Sequence, residues 1–153
     1  MDGPSTVLRG IGPYQGSAPP LNPGARPIHA KNSTTLEDYM TAETPETALE
    51  KPRPFLELLE YQEGSVVSRT LVKKATGTVT LFAFDQGEGL SEHSTAHDAL
   101  VQVLDGTVKI TVGGTPHEVR EGEGLLLPAN IPHALTALTP FKMILTMIRE
   151  AGS

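Results

Sequence analysis

From Ser65 onwards the chain consists of short β-rich runs, and this pattern constrains the fold more than any other feature of the sequence. Turn residues separate the runs at intervals of about 8–12 positions, a spacing typical of an all-β sandwich or barrel. Helical periodicity is absent after residue 62, so we predict an all-β fold. The predicted strands cover residues 66–73, 78–85, 99–104, 108–112, 117–120, 124–127, 134–138 and 141–148.

Glycine-containing turns separate these predicted strands. Gly113-Gly114 and Asp105-Gly106 are two-residue hairpin signals, because a type I′ turn needs positive φ at its central positions. We therefore predict that Asp105-Gly106 closes a tight hairpin between the strands on either side of it. Residues 75–77, Ala-Thr-Gly, supply a further turn.

The first 54 residues differ in composition from the rest of the chain. They hold nine of the thirteen prolines and few side chains that could pack, so burial offsets little of their ordering entropy. We predict a proline-rich arm over residues 1–54, mostly irregular up to residue 33, with short helices around 35–42 and 45–51. A single barrel domain follows over residues 55–153, and its first residues, 54–64, are predicted to dock as a helical turn or an edge segment.

Composition excludes several classes of function. The formal net charge of −6 disfavours a nucleic-acid partner, whose phosphates call for a basic surface. No run of about 18 apolar residues is present to span a membrane. With no cysteine there is no disulfide, thiolate ligand or thiol nucleophile. The first residues lack the charged-then-apolar pattern of a signal peptide, so we expect a cytoplasmic protein.

Two stretches carry the candidate chemistry. Residues 87–106 (GEGLSEHSTAHDALVQVLDG) contain His93 and His97, and residues 122–133 (GEGLLLPANIPH) end at His133. Strands that are distant in sequence face each other across a narrow barrel, so we predict that His93 and His133 meet inside it. Neutral imidazole is a ligand for several divalent metals, and it also forms hydrogen bonds with organic molecules.

These stretches resemble the paired motifs of the cupin superfamily. The first motif is Gly, five residues, His-x-His, three or four residues, Glu, six residues and Gly. The second is Gly, five residues, Pro-x-Gly, two residues, His, three residues and Asn. The residues on this frame are Gly87, His93, Gly106, Gly122, Pro128 and His133.

Four positions depart from the cupin motifs. Thr95 replaces the second His, Ala99 the Glu, Asn130 the Gly and Ala137 the final Asn. The resemblance covers roughly residues 65–149. It implies a cupin-type jelly-roll barrel, or double-stranded β-helix, preceded here by the irregular arm with its short helices. It also implies a homodimer.

Only two of the four cupin metal ligands are present, so the occupant of the site stays open. In one interpretation His93, His97 and His133 bind a divalent metal such as iron, zinc, nickel, manganese or copper. His97 would then be folded inward by its turn, and Glu92 or Asp98 could supply a carboxylate in its place. In the other interpretation the pair lines a polar pocket that holds an organic ligand or water.

Three functions therefore remain from the sequence. The protein is a metal-dependent enzyme, a metal-free enzyme that uses a pocket histidine as general base, or a non-catalytic module that binds a metabolite. Each of them takes a small-molecule ligand, whose identity the sequence does not specify.

Overall fold

The computed structural model describes residues 49–150 and two strands nearer the N-terminus. A 3-10 turn at Phe55–Glu57 is the one helical element in this part of the chain, and no helix in it is long and apolar enough to cross a membrane. The strands, numbered in chain order, are β1 Ser5–Arg9, β2 Ala25–His29, β3 Ser65–Lys74, β4 Gly77–Phe84, β5 Gly89–His93, β6 Asp98–Asp105, β7 Thr107–Val112, β8 Thr115–Arg120, β9 Gly124–Leu127, β10 His133–Ala137 and β11 Phe141–Ile148.

The strands form two sheets that enclose a hydrophobic core. The larger has the order β2-β1-β3-β4-β11-β6-β9 and the smaller the order β5-β10-β7-β8. Alternate residues of each sheet point inward, and the rings of Phe84 and Phe141 stack in the core with centroids 4.5 Å apart. This arrangement confirms the predicted all-β jelly-roll barrel. The buried core side chains are Val66, Phe82, Phe84, Leu90, Ala99, Val101, Val103, Val108, Ile110, Val119, Leu127, Leu135, Ala137, Phe141, Met143, Leu145 and Met147.

All eight strands predicted from alternation are present, as β3, β4 and β6 to β11. Within residues 49–150, the strand that the prediction missed is β5, Gly89–His93. Its sequence, GLSEH, has a single large apolar residue, so it shows no alternation of apolar and polar side chains. Its pairing with β10 makes it a strand.

The predicted hairpin at Asp105-Gly106 is wrong. Strand β6 pairs with β11 and β9 in the large sheet, whereas β7 pairs with β10 and β8 in the small one. The dipeptide is therefore a corner that carries the chain between sheets, although Gly106 does take a positive φ of 76°. At Gly113-Gly114 the prediction holds, because Val112 pairs directly with Thr115 and both glycines have positive φ.

We predicted that the arm is mostly irregular up to residue 33, and the structure has two strands within it, Ser5–Arg9 and Ala25–His29. Strand β1 pairs antiparallel with β3, and β2 pairs parallel with β1. An edge strand offers unpaired backbone groups, so an extended segment can add to it without any pattern in its side chains. The predicted helices at 35–42 and 45–51 lie outside the described residues, apart from residues 49–51, which form a turn and bend.

Residues 55–61 dock on the outer face of the large sheet, as predicted for this segment. Leu58 and Leu59 are buried there in a second apolar cluster with side chains of β3, β4 and β11. Two buried cations hold the segment's carbonyl groups. Lys142 Nζ donates to the carbonyl oxygens of Leu56 at 2.8 Å and Leu59 at 2.6 Å, and Arg69 donates to that of Leu58 at 3.0 Å.

Candidate functional site

The rings of His93 and His133 lie together, with centroids 4.5 Å apart and planes at 69°. His133 shares the inner face of β10 with two core residues, Leu135 and Ala137. The two histidines are direct partners in the pairing of β5 with β10. They therefore meet side by side in the small sheet, and not across the barrel as we expected.

A β-bulge turns His93 toward the interior. His133 pairs with His93, but Leu135, two residues further along β10, pairs with Leu90, three residues back along β5. Strict alternation would put Leu90 and His93 on opposite faces, whereas the extra residue puts both on one face. The bulge therefore lets β5 bury a core leucine and also place an imidazole beside His133.

Both imidazoles use Nδ1 in the same way. His93 Nδ1 lies 3.1 Å from the carbonyl oxygen of Ser91, and His133 Nδ1 lies 3.3 Å from that of Ile131. A carbonyl oxygen only accepts, so each Nδ1 carries the proton and donates it. In the neutral ring the lone pair is then on Nε2, which is the nitrogen that can accept a hydrogen bond or bind a cation.

His133 Nε2 is a buried acceptor without a partner among the described residues. The residue is only 2% exposed, so bulk solvent does not supply the missing donor. An unsatisfied buried polar group costs about 1–3 kcal/mol. The nitrogen is therefore free to accept a hydrogen bond from a donor that enters the barrel.

Burial lowers the pKa of His133 below its ordinary value, and the neighbouring His93 lowers it further. The hydrogen bond to the Ile131 carbonyl opposes these two effects but does not cancel them. His133 is therefore neutral at neutral pH, which suits an acceptor or a metal ligand and not an anion-binding cation.

This lowered pKa predicts a pH dependence of stability. At pH values between the folded pKa and 6.5, the unfolded chain binds a proton at His133 that the folded chain does not. The free energy of unfolding therefore falls as the pH drops below 6.5. Urea denaturation above and below pH 6.5 should show this decrease in the free energy of unfolding. In His133→Leu the decrease should be smaller. A fall of the same size in His133→Leu and in the wild-type chain would contradict the assignment.

The structure does not bring His97 to the pair. It lies in the turn before β6, where the hydroxyl of the buried Thr95 bonds to both the N–H and the carbonyl of His97. Thr95 Oγ1 donates to the His97 carbonyl at 2.9 Å and accepts from its N–H at 3.3 Å. Among residues 49–150, no three His, Cys, Asp or Glu side chains are grouped so that they could hold a metal ion.

The alternative carboxylates do not complete a metal site either. Glu92 is exposed, and Asp98 Oδ1 accepts the backbone N–H of Ala129 at 2.8 Å. Asn130 N–H also donates to the Thr95 carbonyl at 2.6 Å. Together these bonds join the turn before β6 to the loop before β10, a role for Asp98 and Thr95 that no sequence signal indicated.

A second unpartnered polar atom lies inside the barrel. Thr80 is fully buried on the face of β4 that also carries the core residues Phe82 and Phe84. Its Oγ1 has no hydrogen-bond partner within the described part of the chain. Alternation along β4 would have placed this hydroxyl inside, but the sequence could not show that it lacks a partner.

Comparison with known proteins identifies the family. A family model described as "Cupin domain" matches residues 80–148. The chain is similar to a solved structure of a conserved protein of unknown function from Streptococcus pyogenes. The two are 32% identical with a TM-score of 0.65, over 67% of this chain and 90% of the other. The chain belongs to the cupin superfamily.

Two solved structures that are named as cupins are also similar to it. A cupin superfamily protein from Desulfitobacterium hafniense is 30% identical, with a TM-score of 0.63, over 66% of this chain and 93% of its own. A Cupin 2 conserved barrel domain protein from Leptotrichia buccalis is 47% identical, with a TM-score of 0.59, over 61% of this chain and 45% of its own. No curated protein matches this chain.

The cupin frame is visible in the backbone as well as in the sequence. Asn130 stands where the second motif has glycine, and it is the one non-glycine residue with positive φ, 64°, among the described residues. Asparagine tolerates the left-handed region better than most side chains, so the turn survives the substitution. Ala99, in place of the motif's Glu, is buried among apolar side chains of the core.

The donor set falls short of a resident metal site. Protein metal centres of the zinc type take three or four protein ligands, and here the structure supplies two imidazoles. Thr95 bonds to the backbone of its own turn, and Ala99 offers only a methyl group. The described residues therefore do not fit the metal that the cupin resemblance implies.

Proposed function

We propose that this cupin binds a small, uncharged molecule inside its barrel, at the His93–His133 pair. The observation that carries the proposal is the buried, unpartnered Nε2 of His133. A hydroxyl or N–H group of the ligand would donate to this nitrogen. We also propose that the protein does so as a homodimer, as its resemblance to small cupins implies.

The surroundings favour a neutral ligand with an apolar body. The core is formed by aliphatic and aromatic side chains, and a charge placed among them would lose its hydration without a counter-ion. Thr80 Oγ1, in the opposite sheet, is a second buried polar atom without a partner among the described residues. Since His93 is half-buried and His133 is buried, a ligand from solvent meets His93 first.

The proposal is tested by NMR on protein labelled with ¹³C-histidine. Titration with a panel of small alcohols, phenols and monosaccharides should give at least one compound that shifts the ring signals of His93 and His133 and leaves His117 unchanged. His133→Leu should weaken that compound's binding about tenfold or more, as expected for a lost buried hydrogen bond of at least 1.4 kcal/mol. The matched control is His117→Gln, on β8 of the same sheet.

Metal analysis of untagged protein provides the opposing result. Stoichiometric metal that disappears in His133→Leu would show that the pair holds a metal and would contradict a metal-free pocket. Undiminished compound binding in His133→Leu would show that the ligand does not use this nitrogen. In either case the folded state of the variant is checked by its melting temperature, which should be unchanged or raised because an unpaired buried group has been removed.

A further inference from the structure

A line of side chains crosses the outer face of the large sheet, away from the histidine pair. Residues directly opposite each other in neighbouring strands project from the same face. The register therefore places five side chains in one row across β3, β4, β11, β6 and β9. In this order they are Val72, Val79, Thr146, Leu100 and Leu126.

Most of this row is exposed to solvent. Val72 is 45% exposed, Leu100 40% and Leu126 52%, and Ile148, two positions along β11 from the row, is 61% exposed. The other half of the same face is covered by residues 55–61. A contiguous group of large exposed apolar side chains is characteristic of an interaction surface, whereas a single one is not.

We propose that this face is where a second copy of the chain packs, related to the first by a two-fold axis that runs along β11. The cupin resemblance implies a homodimer paired through barrel edges, whereas the register points to this face of the large sheet. The proposal is independent of the ligand proposed for the barrel interior.

The position of β11 makes the row complementary to itself. It is the middle strand of the five that the row crosses, with β3 and β4 on one side and β6 and β9 on the other. A two-fold axis along β11 places Val72 of one copy opposite Leu126 of the other. It also places Val79 opposite Leu100, so each exposed leucine meets a valine in an isologous contact.

The charges next to the row follow the same symmetry. In the adjacent row, Lys74 pairs with Gly77, Gly77 with Ile148, and Ile148 with Asp98. Lys74 lies on β3, two strands from β11, and Asp98 lies on β6, one strand from β11 on its other side. Rotation about β11 therefore brings Lys74 of one copy within one strand of Asp98 in the other. Both residues are exposed, and a lysine side chain is long enough to bridge the one-strand offset between them. Opposite charges at the two ends therefore favour this orientation.

The axis is tested with two complementary charged variants. Val72→Asp and Leu126→Arg should each weaken self-association at least about a hundredfold, measured by sedimentation equilibrium. A mixture of the two should form a heterodimer, because the axis places the new Asp opposite the new Arg. Lys109→Asp, on the exposed face of β7 in the small sheet, is the control and should leave association unchanged.

A crosslinking test does not depend on how these variants fold. The sequence contains no cysteine, so Ile148→Cys gives one thiol, which the axis places next to its own copy. A short bis-maleimide reagent should crosslink this variant as a dimer and leave Lys109→Cys as monomer. A monomeric wild-type chain would overturn the proposal and indicate that another segment covers the face. A mixture of Val72→Asp and Leu126→Arg that stays monomeric would overturn the proposed axis.

Discussion

Gly106→Ala lowers the free energy of unfolding by about 2–5 kcal/mol, measured by urea denaturation. About 1–2 kcal/mol of this comes from placing a side chain at a left-handed φ, and about 1–3 kcal/mol from overpacking. A Cβ at this position would collide with the carbonyl oxygen of Pro140 and press on Phe141. Because Phe141 is a buried core residue, the corner cannot move away without disturbing the barrel.

Gly114→Ala is the matched control for this loss. Gly114 also has a positive φ, 83°, but no heavy atom lies within 4 Å of the position its Cβ would occupy. The control should therefore lose only the backbone contribution of about 1–2 kcal/mol. Equal losses in the two variants would show that the corner relaxes around the added methyl group, and that Gly106 is needed only for its φ.

Lys142→Ala should destabilise the protein by about 3 kcal/mol, because each hydrogen bond from a charged donor contributes about 1.5–3 kcal/mol and the two are not additive. Its ammonium group donates to two carbonyl groups of residues 55–61 and lies 4.9 Å from the centre of the Tyr61 ring. Removing it leaves the Leu59 carbonyl buried and unpaired. Residues 55–61 should then detach from the sheet.

Lys142→Met separates the two contributions of this side chain. Methionine keeps most of the apolar stem that packs on the sheet, but it donates no hydrogen bond. If the donors account for most of the effect, Lys142→Met should lose nearly as much stability as Lys142→Ala. Hydrogen exchange of the backbone amides of Leu58 and Leu59 should rise in both variants. Unchanged exchange would show that apolar packing alone holds the segment.

The strands were predictable because alternation is a local property. A strand that buries one face has apolar side chains at alternate positions, such as Phe82 and Phe84 on β4. This alternation is visible within a few residues of sequence. The Gly113-Gly114 hairpin was predictable for the same reason, since its backbone needs two positive φ angles next to each other. The motif spacing likewise indicated that His93 and His133 belong to one site.

The partners of each strand were decided by the tertiary structure. Asp105-Gly106 and Gly113-Gly114 carry similar local signals, yet one is a corner between sheets and the other a hairpin. The difference comes from the pairing of β6 with β11, which lies some forty residues further along the chain. Strands β1 and β2 could not be predicted either, because β1 pairs with the backbone of β3 and β2 with the backbone of β1, and neither needs a side-chain pattern.

The same division holds at the candidate site. From the sequence alone, His93 and His133 lay on the cupin motif frame, and His97 was a third candidate if its turn folded inward. The bulge in β5 and the bonds of Thr95 separate them, turning His93 toward His133 and keeping His97 in its turn. Whether a buried nitrogen has a partner depends on atoms brought in from distant parts of the chain. The unpartnered Nε2 of His133 therefore became visible only in the folded barrel.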